Sequence, residues 1–158
     1  MVSLEIIDQV AHIRLNRPEK LNAMNWDFWE GLPTVVSEIN QNLSVRAAVL
    51  SAEGKSFSVG LDFFDMMPKL STNGQAPDGE TQRRLHQLIR DMQWSVTSLE
   101  RCRVPVIAAI HGYCLGGAID LITACDIRFC AADAQFGIRE TKMAIVADIG
   151  TLQRLPRI

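Results

Sequence analysis

At 158 residues the chain can bury one hydrophobic core, and 47% hydrophobic with 22% charged residues is the composition of a soluble globular domain. A formal net charge of −2, without a basic block, argues against nucleic acid and against an anionic membrane surface as partners. The longest apolar run, residues 104–110, is too short to cross a bilayer, and no charged-then-apolar leader opens the chain, so the cytoplasm is the expected compartment. Cys102, Cys114, Cys125 and Cys130 form no C-x-x-C and lie in or beside apolar segments. They read as buried, reduced thiols, and with no His or second Cys at ligand spacing no metal is expected.

In chain order, residues 4–7 and 10–15 read as a β-hairpin around the turn Asp8-Gln9. Residues 16–20 read as a loop, with Pro18 enforcing extension before it. Asn25 can cap a helix running to about residue 42, with Phe28, Leu32, Val35, Val36, Ile39 and Leu43 on one face. Pro33 should kink that helix or end it early. Residues 47–51 form a short buried strand, and strand–helix–strand at these lengths predicts a right-handed crossover with parallel pairing. Residues 54–62 make a glycine-containing loop into a short helix that Asp62 can cap. Residues 68–79 read as a mobile surface loop, and residues 80–101 as a long amphipathic helix striped by Leu85, Leu88, Ile89, Met92, Val96 and Leu99. Trp94 and His86 belong at a surface or interface, and His12 reads as structural.

A buried strand over residues 104–110 then meets a glycine turn, and a helix opens at Gly116-Gly117. Residues 126–130 form another strand, with Asp126 in a turn or capping role. Residues 137–146 read as loop and strand, and residues 151–155 as a short helix stopped by Pro156. No internal sequence repeat is visible.

The chemistry concentrates at two strand-end loops, 54–62 and 111–117. Strand, glycine, then helix leaves backbone N–H groups unpaired where negative charge is welcome. Two such loops on neighbouring strands make a two-donor anion site, with Leu61 and Gly117 as donors. Asp120 follows Gly117 by one helical turn, and Glu140 and Asp148 follow further on. Consider loss of a proton beside a thioester carbonyl. Charge must move onto the carbonyl oxygen, and each fixed N–H aimed at it can contribute about 3–4 kcal/mol. Two carboxylates in a dry pocket can serve two carbons, one taking a proton and one giving it. Read from the residues alone, Asp120, Glu140 and Asp148 are also compatible with caps and paired structural charges.

Further motifs run colinearly through the chain: Leu15-Asn16-Arg17-Pro18, Leu21-Asn22-Ala23-Met24, Phe57 to Asp62, Pro105 to Gly112, Leu115-Gly116-Gly117, and Ala124-Cys125-Asp126 with Arg128. Jointly they resemble the enoyl-CoA hydratase/isomerase (crotonase) superfamily over nearly the whole chain. The resemblance implies an α/β fold, a crotonase-like spiral of ββα repeats, as one domain over residues 1–158. It implies oxyanion donors at Leu61 and Gly117, substrate contacts at Val59, Gly60, Leu61, Asp62, Phe63 and Gly117, and catalytic roles for Asp120, Glu140 and Asp148. It also implies an acyl-CoA substrate, no cofactor, no metal, and homotrimers paired into hexamers. If the organism is eukaryotic, the implied compartment is the peroxisome or mitochondrion. The family continues past Ile158 with a helical segment over the acyl pocket, so this chain is expected to be truncated at its C-terminus.

Asp at 120, Glu at 140 and Asp at 148, 20 and then 8 residues apart, is similar to the branch of the family that isomerises 3,5-dienoyl-CoA to 2,4-dienoyl-CoA in fatty acid β-oxidation. Shifting the double bonds takes a proton from C2 and returns one at C6, too far apart for one carboxylate. Glu140 is assigned to C2, Asp148 to C6, and Asp120 to polarising or positioning. Hydration of 2-enoyl-CoA, Δ3-Δ2 isomerisation and a non-catalytic acyl-CoA-binding scaffold are the alternatives. Leu61 stands where Ala is frequent in the family, Ala118 replaces a frequent third Gly, and Lys142-Met143 replaces an acidic-apolar pair, which bears on chain length.

Overall fold

The computed structural model describes residues 1–70 and 78–158. The chain opens as the expected antiparallel hairpin, β1 (Val2–Ile7) and β2 (Val10–Leu15), with Ile7 opposite Val10. Asp8 and Gln9 both take positive φ, 47° and 69°, the twist that matches a two-residue turn to its strands. Every second residue of β2, Ala11, Ile13 and Leu15, is fully buried.

From β2 onward the pairing is parallel: β3 (Ala47–Ala52) joins β2, β4 (Val106–Ile110) joins β3, and the edge strand, residues Ile127–Cys130, joins β4. Parallel neighbours need crossovers. They are supplied by α1 (Trp26–Gln41), then α2 (Phe63–Leu70) with α3 (Gly79–Glu100), then α4 (Gly117–Thr123). Between β4 and α4 lies β5 (Tyr113–Leu115); with the edge strand as β6, β7 (Gln135–Gly137) follows and pairs with β5. Ser58 bridges to Cys114 on the other side of β5. Successive turns thus give a strand to the five-stranded sheet, a short piece to a second sheet, and a helix. This is the expected ββα spiral, a repeat of structure without a repeat of sequence. Phe28, Leu32, Leu50, Phe57, Val96, Leu99 and Leu121 fill the core.

Several expectations need correction. Helix α1 runs unbroken through Pro33. The proline removes one donor, but Phe28, Leu32, Val36 and Ile39 bury the helix face on both sides of it, and packing prevails. Leu43, placed on that face by spacing, lies beyond the helix end and is 79% exposed. Residues Pro18–Lys20 form a 3₁₀ turn rather than open loop. Pro68 lies inside α2, and Asp78 caps α3 by accepting from Thr81 N at 2.8 Å. The rest of the predicted mobile loop, residues 71–77, lies outside the described residues. The central strand begins at Val106, because Pro105 has no N–H to give. Residues Glu140–Met143 are a 3₁₀ helix, not strand; the helix expected over 151–155 ends at Arg154, and Pro156 sits within the 3₁₀ turn that follows it, Leu155–Arg157. All four cysteines are free thiols. Cys114 and Cys125 are buried, and burial pushes each up to about 12, but Cys102 is only partly buried and Cys130 is exposed. Asp126 is structural as expected, accepting from Val106 N at 2.7 Å. His86 and Trp94 are exposed.

Candidate active site

The two glycine loops meet. Met24 N donates to Gly60 O at 2.7 Å and Asp62 N donates to Met24 O at 2.9 Å. In an extended segment alternate groups point to opposite sides, so the Leu61 N–H faces away from Met24. On the second loop Gly116 N donates to Gly137 O at 2.9 Å, and Gly117 is the first residue of α4, where an N–H has no intrahelical acceptor. Neither the Leu61 nor the Gly117 N–H has an acceptor among the described residues. Gly60, at φ 89°, lets the loops touch: a Cβ there would stand 2.7 Å from Leu115 O and 3.1 Å from Gly117 N.

Polar side chains set the first loop. Asn22 is fully buried. It accepts from Arg17 N at 2.8 Å and donates to Glu53 O and Ser56 O at 2.8 and 2.9 Å. Arg17 reaches Asp62 at 2.5 Å, and its hydrogen bond holds that carboxyl below the usual carboxylate range despite the opposing effect of burial. Asp62 also caps α2, accepting from Asp65 N at 3.3 Å. Gly60 and Asp62, expected to touch substrate, therefore stand behind the wall as supports.

A cavity of about 380 Å³ is lined by Val59, Leu61, Phe63, Gly117, Asp120, Glu140 and Asp148, within the size range of small-molecule sites. All three candidate acids thus line the same cavity as Leu61 and Gly117. Their burial differs. Asp120 is 1% exposed, and its Oδ1 accepts from Thr151 N at 2.6 Å and Thr151 Oγ1 at 2.7 Å. Burial pushes its pKa up. The Thr151 hydrogen bonds oppose that shift, and the charges of Glu140 and Asp148 add to it. Glu140 is partly buried, at the start of the 3₁₀ helix, with Oε1 3.4 Å from where a Cβ on Gly116 would stand. Its Oε2 is buried without a hydrogen-bond partner. Leaving such an acceptor unsatisfied costs about 1–3 kcal/mol, so its retention calls for a reason. Asp148 is exposed despite Ala147 and Ile149 beside it. The dry pocket expected around two carboxylates is dry at the buried Glu140 Oε2 but not at Asp148, because the loop bearing Asp148 forms an open rim with Ile145 and Val146 48% and 66% exposed.

Sequence reasoning missed other parts of the wall, among them Trp29 from α1, Leu70 from α2, Ile89 and Met92 from α3, and Arg139. Ile89 and Met92 were legible as an apolar stripe, but nothing local tells a core position from a cavity wall. Thr151, which holds Asp120 across 31 residues, carried no signal. Among the described residues no group of three His, Cys, Asp or Glu side chains could hold a metal ion, and no helix is long and apolar enough to cross a membrane.

The sequence profile of the enoyl-CoA hydratase/isomerase family matches residues 5–158. The chain belongs to the enoyl-CoA hydratase/isomerase family. It is 47% identical over 163 aligned positions to the peroxisomal Delta(3,5)-Delta(2,4)-dienoyl-CoA isomerase of Arabidopsis thaliana, covering 99% of this chain and 58% of that protein. It is 46% identical to the mitochondrial enzyme of the same name from Mus musculus, covering 94% of this chain and 46% of that protein. A crystal structure from Thermobifida fusca YX in complex with acetoacetyl-CoA superposes with a TM-score of 0.83 at 32% identity, covering 98% of this chain and 60% of that one. The chain therefore spans about half the length of the curated relatives it matches.

Proposed function

We propose that the protein is an acyl-CoA double-bond isomerase that converts 3,5-dienoyl-CoA to 2,4-dienoyl-CoA in fatty acid β-oxidation. One observation carries the reading: two acceptor-less amides, Leu61 and Gly117, line the same cavity as Glu140 and Asp148. The relatives named as dienoyl-CoA isomerases support it, as does acetoacetyl-CoA bound to a family member. The thioester oxygen sits between the two amides, and Val59, Leu61 and Phe63 contact the acyl group. The Glu140 carboxylate takes a proton from C2, breaking that C–H bond. The electron pair moves along the diene as C2=C3 and C4=C5 form, and C6 receives a proton from Asp148. One proton passes to Glu140 and one comes from the protonated Asp148; exchange with solvent then resets both groups, so the reaction needs no oxidant, cofactor or metal. The two amides stabilise the intermediate enolate by about 3–4 kcal/mol each. Asp120, whose Oδ1 is occupied by Thr151, positions rather than transfers.

The family also includes hydratases, and the chain shares their fold. An ultraviolet assay separates the readings. Formation of the conjugated 2,4-dienoyl thioester from 3,5-dienoyl-CoA, lost in Asp148→Asn, supports the isomerase. Water addition to 2-enoyl-CoA that ignores Asp148→Asn favours a hydratase, and acyl-CoA binding without turnover favours a scaffold. The compartment follows the host: cytoplasm in a bacterium, peroxisome or mitochondrion in a eukaryote. The apolar rim around Asp148 supports self-association into trimers or hexamers, with a neighbouring subunit covering what one copy leaves open.

A further inference from the structure

The Asp148 carboxylate is exposed and has no hydrogen-bond partner among the described residues. The region it can reach is therefore set by where the main chain beneath it is held. That main chain is tied at three successive points. Gln93 Nε2, from α3, donates to Asp148 O at 2.8 Å. Arg154 folds back so closely that a Cβ at Gly150, φ 134°, would overlap its guanidinium, and its Nη1 lies 3.4 Å from Ile149 O. The same guanidinium is anchored to α3 through Glu100 Oε2 at 2.7 Å and Thr97 Oγ1 at 3.1 Å. Thr151 gives both its N–H and its hydroxyl to Asp120 Oδ1, tying the loop to α4 one turn past the Gly117 amide.

We propose that Gln93, Thr151 and Arg154 are positioning residues that, with Asp120 as the fixed post, register the Asp148 carboxylate against the oxyanion amides. The proposal rests on the isomerase reading and deepens it. Since Asp120 and Gly117 share α4, the clamp measures the distance from thioester to distal carbon through one short helix. Apolar packing alone would not do this, because the rim around Asp148 is open.

The test incubates 3,5-dienoyl-CoA in D₂O with wild type, Asp148→Asn, Gln93→Met, Thr151→Val and Thr151→Ser. Two quantities are read by mass spectrometry: deuterium at C2 of recovered substrate, and yield of 2,4-dienoyl product. Asp148→Asn sets the reference change in their ratio. Gln93→Met and Thr151→Val are expected to shift the ratio in the same direction, with product formation falling about 10- to 100-fold, the scale of a misplacement near 1 Å. Thr151→Ser, which keeps both donors, restores the wild-type ratio. If exchange and product fall in parallel in Gln93→Met and Thr151→Val, or neither changes, while Asp148→Asn alters the ratio, the clamp is overturned and the isomerase reading stands. If wild type yields neither exchange nor product, the isomerase reading falls and the clamp's role falls with it.

Discussion

Asp120 combines the deepest burial among the three acids with two donors on one oxygen. Burial raises its pKa above the ordinary value of 3.8, so the folded state holds the proton over a pH range in which the unfolded chain has released it. Stability contributed by this group is then fully present below pH 3.8 and declines as pH rises through the folded value. Asn at this position keeps an oxygen for Thr151 and carries no charge. Asp120→Asn is predicted to flatten that decline, so that its stability relative to wild type grows with pH above 3.8 in urea unfolding series. A difference that stays constant or shrinks with rising pH would contradict this. Asp120 was legible as a site residue because it follows Gly117 by one turn. That Thr151 holds it was not, because a hydroxyl 31 positions away leaves no local pattern.

At the scale of elements, the long periodic segments were legible and the short ones were not. Helix α1 announces itself by its apolar spacing and by Asn25, whose Oδ1 accepts from Phe28 N at 3.2 Å. Asn25→Ala is expected to cost about 1 kcal/mol in chemical denaturation, with Asn25→Ser recovering most of that loss. No change in Asn25→Ala would show that the α1·α3 contact alone fixes the helix start. By contrast β5 and β7 have three residues each, too few to show a period. They exist through the Ser58–Cys114 bridge and the β5–β7 ladder, which are long-range pairings. These short pieces hold the Gly117 loop beside the Leu61 loop. The amide donors were thus found by their glycines, while the frame that joins them became visible only in three dimensions. The same holds for Pro33, where local propensity points to a break and burial of four large side chains overrides it.

For the whole molecule, large apolar groups outside the rim at Val146 are exposed as well. Phe129 is 66% exposed, Leu152 56% and Ile158 59%. Extensive apolar exposure predicts self-association. Light scattering is predicted to give a mass that is a multiple of three chains, and a monomer across the micromolar range would oppose self-association.

The most direct test follows the hydrogen itself. A 3,5-dienoyl-CoA carrying two deuterium atoms at C2 is turned over in ordinary water, and the C6 position of the 2,4-dienoyl product is examined by NMR. Two separate carboxylates predict protium entering at C6 on the first turnover, with one deuterium left at C2. Deuterium carried from C2 to C6 would mean that a single group moves along the chain, contradicting the division of labour between Glu140 and Asp148.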